Sequence, residues 1–403
     1  MEMNPVDLAD RLRPSVSQFM KIEDVTVGDE KLGYAARFRG QLLFGSEEAF
    51  DRLDSIFAQE GATLLFRREE GTDIVLALPG VIKTEESNSI VNAVLFVLTL
   101  ASMIFAGSLY GIEGPIGEGF DGLVQAVLGN VPNGLVFAGS LFAILGAHEF
   151  GHYLAARYHK CAVTLPYFLP FPGSLFGTLG AFIRLKEPPR NRKVLLDIGL
   201  SGPLAGLVVA IPLLLIGLAT SPLSSLPLSP AAAAGSIQEG NSILYLAAKY
   251  VTKGALLPEP LHYNGLSPVV YWIQYYFLGT PTPYGGTDVF LNHMAWAGWA
   301  GLLVTALNLI PAGQLDGGHT IFVLIGDTAR RIWPLIVVAL ILLGFVWSGW
   351  FIWAVLIFML GRTYARPRDE ITALDPRRRA LAIFGLIVFV LVFTPVPLRI
   401  FGG

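Results

Sequence analysis

The sequence predicts a polytopic α-helical membrane protein of about seven transmembrane helices, with a small cytosolic α+β domain at its N-terminal end. Three observations carry this expectation. The chain of 403 residues is 53% hydrophobic and only 15% charged, where an ordinary soluble domain has about 25% charged residues. Several segments beyond residue 89 approach or exceed the ~20 mostly apolar residues that cross a hydrocarbon core. Residues 332–361 contain no charged side chain at all.

Residues 1–88 have soluble character. They hold an alternating run at 34–39, a helix-like stretch at 47–59 and strand-like runs at 63–66 and 73–78, the pattern of a small α+β unit. From residue 89 to 403 the texture is that of a membrane domain. Segments 90–110, 134–156, 194–219 and 289–310 read as four transmembrane helices. Residues 332–361 read as either one over-long tilted helix or two short helices bent at Ser348-Gly349; Trp347, Trp350 and Trp353 at the midpoint and the sidedness of the Arg377-Arg378-Arg379 cluster favour two. Residues 380–397 form the last span. The N-terminal stretch is polar and of mixed charge, without the apolar core of a secretory signal.

Orientation follows from Lys and Arg. The connection 111–133 has none, whereas residues 157–193 carry Arg157, Lys160, Arg184, Lys186, Arg190, Arg192 and Lys193. The latter connection is therefore expected on the cytoplasmic side, together with Arg330, Arg331 and the cluster Arg377-Arg378-Arg379. The long connection 220–288, with only Lys249 and Lys253, falls on the extracytoplasmic side. A bacterial inner membrane with a cytoplasmic N-terminus fits this pattern and the absence of a transit-like leader. Lys+Arg number 28 against Asp+Glu 31, so there is no basic excess to neutralise a nucleic-acid backbone. With Cys161 as the single cysteine, any metal must be held by His, Asp or Glu.

The chemistry concentrates in His148-Glu149-Phe150-Gly151-His152, near the cytoplasmic end of the second span. Two histidines four apart on a helix share a face, which suits zinc, and the glutamate between them is placed to take a proton from water. Ionisable groups at membrane depth cost roughly 2.5–3.5 kcal/mol each on insertion scales, so three in one turn imply a use. A catalytic zinc needs a third protein ligand. The extended motif that would supply it locally fails, because Ala155 and Tyr158 stand where its glycine and third histidine belong. Glu187 reads as a loop charge and Asp197 as a neighbour of Lys193, both as partners of cations. The remaining candidate is Asp316, at the end of the span 289–310.

These residues resemble the site-2 protease family of intramembrane zinc metalloproteases, of the peptidase M50 type. The match runs through His148, Glu149 and His152 on one helix and through Asn308, Pro311, Leu315, Asp316, Gly317 and Gly318 on another. It covers roughly residues 90–330, with core motifs in 134–158 and 289–320, and its N-terminal domain and long 220–288 connection look like the plastid and cyanobacterial branch. The resemblance implies one zinc ion per chain held by His148, His152 and Asp316, Glu149 as general base toward a zinc-activated water, and Asn308 aiding substrate or oxyanion binding. It implies peptide-bond hydrolysis in or near transmembrane segments of membrane-anchored proteins, with the lipid bilayer as surroundings.

Two other readings compete. A metal transporter would distribute acidic and histidine side chains along a path, whereas here they gather at one depth. A catalytically inactive membrane-protein binder would not need Glu149. The glycine-punctuated stretch 175–185 reads as extended, either a strand edge that pairs with substrate or an interfacial hairpin. Gly202-Pro203-Leu204-Ala205-Gly206 reads as a close-packing site, His319 as a local structural residue, His159 and His293 as interfacial, and His262 as solvated. The tract 227–235 reads as a linker.

Overall fold

The computed structural model describes residues 5–28, 33–82, 88–110, 112, 119–233 and 235–401. Residues 1–4, the end of the N-terminal region at 83–87, residues 111 and 113–118 of the 111–133 connection, and Ala234 of the 227–235 tract lie outside the described residues.

The first elements are α1 (Pro5–Phe19), β1 (Met20–Val27), β2 (Ala36–Leu42), α2 (Ser46–Gln59), β3 (Ala62–Glu69) and β4 (Thr72–Pro79). The strands form an antiparallel sheet in the order β1-β2-β4-β3. The β3–β4 hairpin turns on Glu70-Gly71, both at positive φ, the geometry that matches strand twist in a two-residue loop. α1 buries Leu8, Leu12 and Val16, and α2 buries Phe50, Leu53 and Phe57. With Phe38, Leu64, Phe66 and Val75 they make a separate core. α1 and β1 escaped the sequence reading: α1 carries a helix-breaking residue type, Pro14, within it, and β1 lacks a clean alternation, with the burial pattern Beieeiie.

Among the described residues, three helices are long and apolar enough to cross a membrane: α3 (Ser89–Leu109), α5 (Val131–Tyr158) and α6 (Arg192–Thr220). A short helix, α4 (Gly119–Gly129), precedes α5. Side-chain caps set the starts of α3 and α6, where Asn88 Oδ1 accepts from the Ile90 amide and Asn191 Oδ1 from the Val194 amide. Between α5 and α6 lies the antiparallel hairpin β5 (Tyr167–Pro170) and β6 (Thr178–Phe182). It runs along α3: Asn92 Nδ2 donates to Leu165 O and Pro166 O, and Ser102 Oγ donates to Gly177 O. Ten residues of helix separate those two anchors, about 15 Å at the α-helical rise. The hairpin tip thus reaches well along the helix, where Phe176 meets Trp296 and Trp299. The extended reading of 175–185 corresponds to β6 and its flanks.

The connection 220–288 is folded. It holds β7 (Leu223–Ser225), α7 (Pro230–Ala233), β8 (Ile237–Glu239), α8 (Ile243–Lys253), α9 (Pro268–Leu278) and β9 (Thr287–Val289). β7 pairs with β9. Lys249 is fully buried here, its ammonium donating to Asp288 (3.1 Å) and lying 3.3 Å from Glu239, which also accepts from Tyr245. Burial opposes that charge, yet Asp288 and Glu239 outweigh it and hold the Lys249 ammonium above its ordinary pKa.

The chain continues through α10 (His293–Asn308), α11 (Asp316–Ile325), a 3₁₀ turn, α12 (Ala329–Gly344), α13 (Gly349–Leu360), α14 (Pro376–Val392) and β10 (Leu398–Ile400), which pairs with β8. The fourth predicted span, 289–310, is corrected here. α10 has 16 residues, because the Asn292 side chain caps it at Ala295 and the chain leaves the helix after Asn308, ahead of Pro311. Residues 332–361 are divided between α12 and α13, with Ser348 as the N-cap of α13. One continuous core joins α3, α5, α6, α10, α11 and α14 through Met103, Phe137, Leu141, Ile144, Leu196, Leu214, Trp299, Phe322 and Val388.

Replacing Lys249 by Met leaves the Glu239 and Asp288 carboxylates buried against each other without a cation. The expected loss is about 3–5 kcal/mol of local stability, measured as faster amide exchange across α8; unchanged exchange would show that the buried triad does not hold this connection together.

Candidate metal centre

α5 delivers His148 and His152 one turn apart, and both are buried, with Glu149 buried between them. Asp316 opens α11, and a tight turn places it there. A Cβ on Gly317 would fall 1.9 Å from Leu309 O, and one on Gly318 would fall 2.3 Å from Gly313 O. The paired glycines therefore let the 309–313 backbone fold directly over the start of α11. Thr320 Oγ1 donates to Asp316 O, and the His319 amide donates to Leu315 O, which closes the first turn.

The result is a triangle of ligand atoms. His148 Nε2 and His152 Nε2 are 3.1 Å apart, and Asp316 Oδ2 is 3.3 Å from the first and 3.4 Å from the second. Three tetrahedral ligands at zinc's usual 2.0–2.1 Å would stand about 3.3 Å from one another. The donor set of two imidazoles and one carboxylate fits such an ion with a fourth position left open. His152 Nδ1 lies 2.7 Å from the Ile198 carbonyl, which can only accept. The proton is therefore on Nδ1, and the Nε2 lone pair is turned toward the triangle. Asn308 Nδ2, at the end of α10, lies 3.5 Å from His148 Nε2.

All five residues singled out in the sequence thus converge: His148, Glu149, His152, Asn308 and Asp316. The other candidates go elsewhere. Asp197 accepts from Arg378 (2.6 Å) and lies 2.9 Å from His159 Nε2, while Lys193 pairs with Glu47. The expected Asp197–Lys193 neighbourhood is replaced because α14 brings Arg378 to the start of α6. Glu187 accepts from the Ala162 amide and so anchors a loop turn. His159 is held by Asp197 at the C-terminal end of α5. His319 is packed against Gly199 on α6.

One contribution was missed in the sequence, and a second was read as close packing without its target. The Ile198 carbonyl carries no side-chain signature, so nothing in the residue type marks it. Gly202 did carry a signal, the small residues four apart in 202–206. A Cβ at Gly202 would lie 2.1 Å from His152 Nε2, and one at Gly206 would lie 3.2 Å from His148 Cβ. These glycines pack α6 against the two histidines themselves. Gly151 does the same from α5, where a Cβ would fall 2.5 Å from Ser201 O.

A profile of Peptidase family M50 matches residues 136–348, just over half of the chain. Among curated relatives, "Probable zinc metalloprotease EGY2, chloroplastic" of Arabidopsis thaliana is 28% identical over 376 residues, which cover 92% of this chain and 61% of the relative. The protein of that name from Oryza sativa subsp. indica is 29% identical, covering 88% of this chain and 60% of the relative. "Probable zinc metalloprotease EGY1, chloroplastic" of Arabidopsis thaliana is 30% identical, covering 65% and 43%. The chain spans about three fifths of the length of the first two of these relatives. No solved structure matches it.

Substituting Ala for Gly202 should push the His152 ring out of the triangle while leaving α6 helical, since Ala favours helix over Gly. Metal titration is expected to show affinity reduced at least about tenfold, as for lost support of a ligand. Undiminished affinity would mean that His152 does not need this space.

Proposed function

The chain belongs to peptidase family M50, and from that premise we propose that it is an intramembrane zinc metalloendopeptidase, cutting peptide bonds in or near transmembrane segments of membrane-anchored proteins. The observation that carries the reading is the triangle of His148, His152 and Asp316 with Glu149 buried beside it. His148, His152 and Asp316 would hold one zinc ion per chain. When bound, zinc supplies Lewis acidity that acidifies water and polarises the scissile carbonyl.

The chain's own residues do the rest. Glu149 takes a proton from the attacking water and delivers it to the leaving amine. Asn308 offers its amide donor beside the ligand atoms, where a carbonyl or oxyanion can accept it. Leu179 and Phe182 are exposed on β6, and β6 pairs only with β5 among the described residues. A substrate strand can therefore add to its outer edge, and the unwinding of a substrate helix that hydrolysis requires is matched by an extended template.

The finer topology belongs to the same proposal. Counting α3, α5, α6, α10, α12, α13 and α14 gives the seven membrane-embedded helices, α10 and α13 being short. The Lys- and Arg-rich connections and the N-terminal α+β domain lie on the cytoplasmic side of a bacterial inner membrane, and 220–288 on the opposite side. The relatives' names give a chloroplast location; fractionation of the source cells distinguishes the two membranes. The ionisable side chains at one depth continue to speak against a transport path.

For Glu149→Ala the expected result is zinc content equal to that of the wild type, with cleavage of a reconstituted transmembrane substrate lowered by about 10²–10⁴-fold. A Glu149→Ala chain that cuts at the wild-type rate would contradict the protease reading.

A further inference from the structure

The N-terminal sheet is prolonged beyond β3. Phe66, on the outer edge, donates its amide to Arg368 O (2.9 Å) and accepts from the Glu370 amide (3.2 Å), so the segment around Asp369 lies parallel to β3. The other edge of that segment is also bonded, with the Arg368 amide donating to Pro189 O (2.9 Å) and the Asp369 amide to Arg190 O (2.7 Å). Backbone hydrogen bonds thus lead from the sheet to Asn191, the buried residue that caps α6. Asp369 is itself buried, and its carboxylate holds the amides of Ile371 and Thr372 and the Thr372 hydroxyl.

Charge fastens the same junction. Glu47, Asp51 and Asp54 are spaced four and three apart, which puts them on one face of α2. They meet Lys193 (2.7 Å), Arg190 and Arg368 (2.7 Å) respectively. The Lys193 ammonium holds the Glu47 carboxyl below its ordinary pKa. Arg67 of β3 adds a pair with Glu370 at 3.5 Å.

The helix held from outside in this way is the one that orients the metal centre from inside. Two turns after Asn191, Ile198 O receives the His152 Nδ1 proton, and one turn later Gly202 abuts the same ring. Between them and the cap, Asp197 is gripped by Arg378 at the start of α14 and by His159 at the end of α5.

We propose that the N-terminal domain is a positioning module for the metal centre: its acidic α2 face and its β3 edge clamp the start of α6 and so set where the Ile198 carbonyl meets His152. The inference rests on the reading of His148, His152 and Asp316 as zinc ligands. Glu47, Asp51 and Asp54 are positioning residues that touch neither metal nor substrate. Whatever loosens the clamp from the cytoplasmic side loosens the hold on His152.

The test uses the full chain in a reconstituted bilayer, with zinc as the probe. In one variant Glu47→Lys and Asp51→Arg reverse the α2 face; in a second, Lys193→Glu and Arg190→Asp are added, which restores opposite charges across the junction. Zinc affinity is measured by competition with a chelator, and docking by hydrogen exchange of the Phe66 amide, which is bonded to Arg368 rather than within the sheet. The expected result is an unprotected Phe66 amide and zinc affinity about tenfold weaker in the first variant, with both restored in the second. An unprotected Phe66 amide with wild-type zinc affinity would overturn the coupling, and a Phe66 amide that stays protected would overturn the charge clamp. A wild-type chain that binds no zinc would instead overturn the ligand assignment on which the coupling rests.

Discussion

Inside a packing of apolar helices, two imidazoles and a carboxylate from different parts of the chain have to meet within 3.4 Å of one another. Each such group at membrane depth is costly when isolated, and the arrangement is tolerable only where the groups serve one another or a shared cation. Much of the surrounding architecture follows from that constraint. α6 comes close enough to α5 to present a backbone carbonyl to His152, an approach that the glycines at 151 and 202 permit and that Gly206 eases beside His148. The 309–313 turn folds over the start of α11 so that Asp316 points back toward α5, and there only glycine fits.

The polar parts of the chain are arranged around this centre according to what each side can satisfy. The β5–β6 hairpin runs along α3, pairing its own backbone and offering the Leu165, Pro166 and Gly177 carbonyls to Asn92 and Ser102, as backbone groups packed against apolar helices require partners. At the opposite end of α6, Lys253 donates to Ser221 O, and the buried Lys249 holds the 220–288 segment to its own carboxylates. At the start of α6, the N-terminal domain is attached by backbone pairing and by three ion pairs to α2. Individually exposed ion pairs of this kind contribute about 0–1 kcal/mol; their weight here comes from acting together with the shared edge.

The metal site was largely legible in the sequence because its residue types are chemically improbable in an apolar helix. His148, Glu149 and His152 stand out against their surroundings, and the Leu315-Asp316-Gly317-Gly318 run marks a turn that ends a span. The hairpin helix pair after residue 329 was legible from the length of the uncharged run and its tryptophans. What was not legible is long-range or side-chain-free. β8 pairs with β10 across roughly the last two fifths of the chain, a pairing set by tertiary packing and not by local pattern. The Ile198 carbonyl is a backbone group, so any residue could have supplied it. α10 was read too long because hydropathy does not see the Asn292 cap or the turn before Pro311. Asp197 was read against its sequence neighbour, when its partners come from α5 and α14.

The most direct test of the account is zinc stoichiometry of the purified full chain, determined in parallel for the wild type and for Asp316→Ala. The account predicts about one zinc per chain in the wild type, and its loss or marked weakening once the carboxylate that completes the triangle is gone. Zinc held equally well by Asp316→Ala would contradict the three-ligand centre.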